Sequence, residues 1–474
     1  MDRVGVLVVS KCLSSAAIVD TFLRSEKYRP EFYIVEKQAN PFNVERAKEH
    51  RVIPDLRIAE IVKFAKRFAK RVAFGLCDTE DFVVAGGRDQ LEREAGVPMV
   101  CVTKKYALEG SKAAQRLLFD EICPAANPRF RIFDPTKYSN QREAVEDLRA
   151  AIRQMQQPVI KPDAPARGAG VGVWGSDFRT QREAELFFLN VYSKGRVVVE
   201  ERIEGEESSF HAFCDGRHFC VAPLTRDYKR ALNGNRGRLT GGMGSYRDAA
   251  ERLPFITDAE WSEVINTEED AFKRWRGRGS NPELRGIVEY DALMHTGSGF
   301  KILERNSRGG NTESINLFAT LEDDLADVCF RMIEGSLRRL RFRNQASVVT
   351  CVVPRVYGTS ENSGSSEGEI GLTHAYELQR QHDQEMRVYP MDIRIEDGRT
   401  MHGSSRCVAV VGIGDDIAEA RGFSLTAAGP ITGDLRHRTD IASKEDLLMS
   451  CNHMGALRAG QSGGNRWIRQ GRTH

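Results

Sequence analysis

No apolar run in this 474-residue chain approaches the roughly eighteen residues that a membrane-spanning helix needs, so a membrane protein is not expected. Net charge is equally scarce. The 69 Lys and Arg against 67 Asp and Glu leave +2, too weak a field to single out nucleic acid or an anionic membrane as partner. Any anion must therefore be held by a local site. The ten cysteines stand singly, with no C-x-x-C pair and no histidine spacing suited to zinc, which points to free thiols in a reducing cytosol. The apolar opening "VGVLVV" is bounded by Asp2 and Lys11 and no small-residue cleavage site follows it, so a cytoplasmic protein is expected rather than a secreted one. There is no internal repeat, and no Cys-His or Ser-His constellation marks a covalent nucleophile.

What is present is a chain long enough, with 41% hydrophobic residues, for two to four domains. The first hundred residues alternate apolar runs with helical stretches ("VGVLVV", "AAIVDTFLRS", "EFYIVEK", "RIAEIVKFAKRFAK", "RVAFGL"), which predicts βαβ units on a parallel sheet over 1–108. A second segment, 109–338, holds "QPVIKPD" and "RVVVEERIEGEESSFHAFCDG" and reads as antiparallel strands flanked by helices. A third, smaller and mostly β segment is expected over 339–455, with "YGTSENSGSSEGEIG" as a mobile surface loop within it. The low apolar content of 456–474 predicts a disordered tail.

Several stretches carry chemistry. "VIKPDAPARGAGVGVW" sets Lys161 at a strand end before Gly168, Gly170 and Gly172, a combination that can cradle a phosphate, although glycine-rich turns are common. "VVVEERIEGEESSF" places Glu200 and Glu201 after three β-branched residues; a strand running out into solvent is the alternative. Asp227, Lys229 and Arg230 precede a loop with Gly234, Gly237, Gly241, Gly242 and Gly244, which suits an anionic ligand approached by backbone and side chain together. In "KILERNSRGGN" strict alternation sets Ile302, Glu304, Asn306 and Arg308 on one face of a strand. A hairpin would bring Asp291 beside them, giving hard oxygen donors suited to magnesium. A half-solvated edge strand and a turn-forming aspartate are the alternatives.

Taken in order, "LEGSK", "VVEERIEGEESSF", "RDYKR", "LTGGMGSY" and "ILERNSRGGNTE" resemble the glycinamide ribonucleotide synthetase (phosphoribosylamine–glycine ligase) family of the ATP-grasp superfamily. The resemblance is near gapless over 194–246 and again over 285–313. It implies an ATP-grasp fold with an N-terminal parallel-sheet domain and a small C-terminal mostly β domain. It implies an enzyme that makes an amide from an acid and an amine through an acyl phosphate. ATP would have Lys112 and Lys161 on its phosphates with Gly168 and Gly170 in the phosphate loop, Glu200, Glu201 and Ile203 around the adenine, and Glu207 on the ribose. Asp291, Glu304 and Asn306 would hold magnesium or manganese. Arg308, Lys229 and Arg230 would act on the transferring phosphoryl group, and Asp227, Thr240, Gly241, Gly242 and Lys11 would face the substrates. Those substrates would be ATP, glycine and phosphoribosylamine, with no nucleic acid or membrane partner and with a monomer or homodimer as the working form.

The sequence departs from that pattern at the acceptor end. "SKCLSSAA" replaces the family's N-terminal glycine loop, "GLCDTED" replaces its Gly-Pro-Glu loop, Ala169 replaces a lysine, and "GGNTE" replaces Phe-Gly-Asp-Pro-Glu. Lys11, Ser14 and Ser15 remain as expected donors to the amine substrate's phosphate. A ligase for another amino acid or amine, and a nucleotide-binding module without turnover, are the alternatives; retention of Lys161, Glu304, Asn306 and Arg308 speaks against the last.

Overall fold

The computed structural model describes residues 1–11, 13–164, 170–359 and 367–460. The "SENSGSS" part of the expected surface loop, at 360–366, lies outside them. No helix among the described residues is long and apolar enough to cross a membrane.

Five parallel strands form the N-terminal sheet in the spatial order Ala47–Val52, Tyr28–Glu36, Asp2–Ser10, Val72–Cys77, Met99–Val100. Val6 to Val9 are wholly buried because helices cover both faces, which is why the sequence shows a continuous apolar run there instead of alternation. The chain adds strands first to one side of Asp2–Ser10 and then to the other. A crevice therefore opens at the carboxyl ends of Asp2–Ser10 and Val72–Cys77, beside Lys11 and Asp78.

Two antiparallel four-stranded sheets follow. One runs Phe130–Phe133, Val197–Glu201, Pro158–Pro162, Gly172–Val173. Helices Gln141–Met155 and Gln181–Tyr192 pack on it through Leu148, Ile152 and Phe188, each helix started by a side-chain cap from Asn140 or Thr180. The other runs Phe219–Val221, Glu206–Cys214, Gly286–Thr296, Gly299–Asn306. In the C-terminal part, Ala346–Pro354, Val408–Gly414 and Met386–Pro390 share a sheet with two short strands from the middle segment, Arg226–Asp227 and Gly244–Arg247. The boundary expected between 338 and 339 is thus crossed by a sheet.

The strand Gly299–Asn306 departs from strict alternation. Ala292 pairs with Glu304 and Leu293 with Ile302, so Leu303 is an extra residue and the strand carries a β-bulge. Ile302 consequently turns into the core with Phe119 and Phe210, on the side of Arg305 and not of Glu304. Asp291 lies directly across from Arg305, and cross-strand partners share a face. Its carboxylate takes three hydrogen bonds from the Arg305 guanidinium, the shortest 2.6 Å, and Arg305 Nη2 also donates to Glu268 Oε2 at 2.6 Å. All three groups are fully buried, and the guanidinium lies over the rings of Phe119 and Trp275. Asp291 is therefore a partner of Arg305 and not a metal ligand beside Glu304, whose cross-strand neighbour is Ala292.

The last helix, Lys444–Arg458, runs past the expected start of the tail at 456. Arg458 donates to both Glu260 carboxylate oxygens at 2.7 Å and to the Phe255 carbonyl at 2.7 Å, and Leu457 packs on the core.

Two outcomes follow from these contacts. Arg305→Met leaves two buried carboxylates without their cation and should cost about 3–5 kcal/mol, read as a lowered urea midpoint, whereas Asp291→Asn should cost much less. A chain ending at Gly455 should melt several degrees below one ending at Gly460, because only the longer chain keeps the Leu457 and Arg458 contacts; equal melting temperatures would return 456–460 to the tail.

Candidate active site

The three β-branched residues Val197 to Val199 form the centre of their sheet and deliver Glu200 to its end. Buried Glu200 is neither adrift nor solvated. Lys161, on the neighbouring strand, donates to its Oε2 at 2.6 Å, and Arg116 lies 2.9 Å from Oε1. Burial works against the Glu200 carboxylate, but Arg116 and Lys161 outweigh it and hold the group below its usual range. Burial also draws Lys161 below the ordinary lysine range against the pull of Glu200. The same ammonium reaches the Leu303 carbonyl at 3.3 Å, and so spans from one sheet to the next.

Lys112 is the first residue of the helix Lys112–Ile122, capped by Ser111, and its Nζ donates to the Ala164 carbonyl at 3.0 Å. One turn on, Arg116 donates to the Ile302 and Leu303 carbonyls. Gly170 has a left-handed backbone, φ +82°, where glycine is favoured. Gly168 and Ala169 lie outside the described residues. The Glu201 side chain is held by Arg129 through its main-chain N–H at 2.9 Å and its Nε at 2.6 Å, and the Glu201 N–H donates to the Arg129 carbonyl at 3.0 Å; half-buried Ile203 follows at the strand exit. Gly205 is glycine for want of room, since a Cβ would sit 1.9 Å from the His295 carbonyl.

Glu304 is the centre of the arrangement. Its carboxylate makes no hydrogen bond or ion pair among the described residues, yet Lys112, Lys229, Lys161 and Arg308 surround it and, against the cost of burial, hold it below the usual carboxylate range. Asn306, buried, lies two residues further along the same strand. Glu207 is 3.5 Å from Lys229, and that carboxylate, more than any other group, keeps the lysine charged. A carboxylate and an amide oxygen amid lysines form a donor set that fits a hard divalent cation together with phosphate.

Asp227 extends the site. Burial and neighbouring Glu313 push its carboxyl up to about 8. Thr312 Oγ1 lies 3.4 Å from Asp227 and 3.0 Å from Glu313, linking the two. Thr240, Gly241 and Gly242 fold over this pair. Thr240 Oγ1 donates to the Lys229 carbonyl at 2.9 Å, Arg406 donates to the Gly241 carbonyl, and a Cβ on Gly242 (φ +105°) would meet Asp227 Oδ1 at 2.7 Å. Arg230 is not in the group. It alternates to the other side from Lys229 and donates to the Gly237 carbonyl at 2.9 Å.

At the crevice of the N-terminal sheet the expected donors are already engaged. Lys11 Nζ lies 2.6 Å from Glu80 and 2.7 Å from Asp81, Ser14 gives its N–H and hydroxyl to Asp78, and Ser15 donates to Glu36 at 2.6 Å. The expected phosphate grip of Lys11, Ser14 and Ser15 is thus a set of internal bonds, because aspartates and glutamates from the following strand ends and helices fill the place of an anion. Arg308 closes the gap between the two halves, 3.0 Å from Glu109 and 3.5 Å from Glu80. Glu80, Glu109, Arg116, Glu313 and Arg406 were not singled out by motif. Glu109, Glu313 and Glu80 do fall inside "LEGSK", "GGNTE" and "GLCDTED"; Arg116 and Arg406 carry no local signal.

The family described as "Phosphoribosylglycinamide synthetase, ATP-grasp (A) domain" matches residues 130–314. The phosphoribosylamine–glycine ligase of Methanocella arvoryzae is 31% identical over 456 residues, covering 96% of this chain and 99% of that one. That of Pyrococcus furiosus is 31% identical over 431 residues, covering 90% and 92%. Among solved structures, phosphoribosylamine–glycine ligase from Thermotoga maritima superposes with a TM-score of 0.71 at 22% identity over 92% of this chain and 100% of that chain, and an N5-carboxyaminoimidazole ribonucleotide synthetase bound to ADP with 0.59 at 12% over 90% and 96%; both show a shared fold. With 31% identity to these relatives over nearly its whole length, the chain belongs to the phosphoribosylamine–glycine ligase family, built on the ATP-grasp fold.

Proposed function

We propose that this chain is an ATP-dependent ligase that joins glycine to 5-phosphoribosylamine, giving glycinamide ribonucleotide, ADP and phosphate, a step of purine biosynthesis. The observation that carries the reading is Glu304, a carboxylate held ionised by Lys112, Lys229, Lys161 and Arg308 but bonded to none of them, on the strand that also carries Asn306. Such a cluster is suited to take in further charge of both signs. Nucleotide phosphates and a divalent cation supply it.

Glu304 and Asn306 would hold magnesium or manganese, which when bound would offset the negative charge of the phosphates. Lys161 and Lys112 supply positive charge to the phosphates, and Glu207 with the backbone of Glu201 and Ile203 faces the nucleoside. The glycine carboxylate attacks the γ-phosphorus, ADP leaves, and a glycyl phosphate forms. The amine then attacks the acyl carbon, phosphate departs, and the amine gives up a proton. Arg308 and Lys229 offset the negative charge of the phosphoryl group as it moves, so the residues contribute position and charge and form no covalent bond. Free thiols at all nine described cysteines support a cytoplasmic setting.

A second reading keeps the ATP and acid halves and changes the amine. It is favoured by the crevice beside Lys11, where Asp78, Glu80 and Asp81 already occupy the donors that a phosphate dianion would use.

With ATP, magnesium, glycine and freshly made phosphoribosylamine, amide product should form in equal amount to ADP. ADP formed with some other amine, and no amide with phosphoribosylamine, would install the second reading. Glu304→Ala and Asn306→Ala should each lower turnover by about 100-fold or more at saturating ATP, with melting temperature little changed, and chelation of divalent metal should abolish it. Near wild-type turnover in either variant would remove the metal assignment, and Asp291→Asn should keep its turnover throughout.

A further inference from the structure

Arg226–Asp227 is a strand and Tyr228 continues its pairing, donating to the Gly244 carbonyl and accepting from the Met243 N–H, so the side chains of this run alternate. Asp227 and Lys229 face Glu313, Glu207 and Glu304, while Arg226 and Tyr228 point the other way. What they meet is the last helix. Tyr228 Oη donates to Asp446 Oδ2 at 2.5 Å and accepts the Ala442 N–H at 2.9 Å. Arg226 donates to Ser450 Oγ at 2.7 Å and pairs with Glu206 Oε2 at 2.7 Å, and Glu206 Oε1 lies 2.6 Å from His453 Nδ1. Asp446, Ser450 and His453 are spaced by four and three, so one stripe of the helix makes its contacts to Tyr228, Arg226 and Glu206, and Ala442 just before the helix adds its N–H. Arg226, Tyr228, Asp446 and Ser450 are all buried.

The backbone of the same run is held from the C-terminal segment too. Arg438 donates to the Arg230 carbonyl at 2.9 Å and lies over the Tyr228 ring, and Arg436 donates to the Ala231 carbonyl at 2.6 Å. Glu206 and Glu207 repeat the pattern on the neighbouring strand. Glu206 is turned to the helix, and Glu207 to Lys229.

We propose that the helix Lys444–Arg458 is a positioning element of the active site, and that Asp446, through the Tyr228 hydroxyl, sets where Lys229 and Asp227 stand. This rests on the reading that Lys229 and Asp227 act on the substrates. Neither Asp446 nor Tyr228 touches the site, so each acts only by holding its neighbours. A small displacement is enough to matter, since a shift of about 1 Å in an aligned group can cost up to about 100-fold in rate.

The test compares Tyr228→Phe, Asp446→Ala, Asp446→Asn and the Tyr228→Phe/Asp446→Ala double variant. Steady-state turnover with ATP, glycine and phosphoribosylamine is set beside ADP binding by titration calorimetry. Tyr228→Phe and Asp446→Ala should each lower kcat about tenfold or more while the Kd for ADP moves less than about twofold. Asp446→Asn, which keeps an acceptor oxygen, should recover most of the rate, and the double variant should be no slower than the slower single one. Additive losses, or a kcat for Asp446→Ala equal to wild type, would overturn the inference. So would ADP affinity falling in step with kcat and melting temperature, the mark of a merely loosened fold. A wild-type chain that makes no amide from these substrates removes the functional reading first; one that does, with Asp446→Ala matching it, removes this inference alone.

Discussion

The buried Asp291–Arg305–Glu268 cluster decides where the strand Gly299–Asn306 can sit, and most of the site follows from that. Arg305 has no solvent exposure, and a guanidinium taken wholly out of water is tolerable only where carboxylates and carbonyls surround it. With Arg305 pinned inward, Glu304 has to face the other way, into the lysines. The β-bulge at Leu303 makes this compatible with the apolar core, because it lets Ile302 and Arg305 both turn inward although they are three residues apart. Burial raises the Asp291 carboxyl against the opposing pull of Arg305.

On the outward side the same logic of charge applies with the opposite balance. Lys161 is committed to Glu200, and Arg116 is shared between Glu200 and the carbonyls of Ile302 and Leu303. These contacts join the two antiparallel sheets and fix the place of the lysine. Glu304, by contrast, has neighbours but no bond. A carboxylate placed so can accept a metal ion without first breaking a hydrogen bond of its own, which lowers the reorganisation that binding requires.

How much of this was legible in the sequence differs from residue to residue. The N-terminal parallel sheet was plain, because buried parallel strands are continuous apolar runs and their helices are amphipathic. Lys161, Glu200, Glu207, Glu304 and Asn306 were legible because each sits at the end of a recognisable strand. The face of Asp291 was not. A one-residue bulge leaves no mark in composition, and thirteen residues of separation does not say which of two neighbouring positions is the cross-strand partner. Arg230 was misread for being next to Lys229, although adjacent residues in an extended run point apart. Arg406 reaches the glycine turn from a different segment, and Arg226–Asp227 is too short a strand to show any period, so neither the shared sheet nor the docked last helix could be inferred from periodicity.

The charged chain across the acceptor crevice follows from the same accounting of buried charge. Lys11 is held by Glu80 and Asp81, Glu80 also faces Arg308, and Arg308 is held by Glu109, whose carboxyl burial has raised. Two cations are thus shared among three carboxylates along a line from the end of the first strand to the end of the strand Gly299–Asn306. An arrangement with more acid than base tolerates the gain of positive charge better than the gain of negative charge. On that balance the crevice favours a cation over an anion, and a phosphate group entering it would have to displace Glu80 and Asp81 from Lys11 or lie beyond them. The replacement of the glycine loop by "SKCLSSAA" therefore bears on the crevice beside Lys11 more than on Glu304, to which the crevice is linked through Arg308.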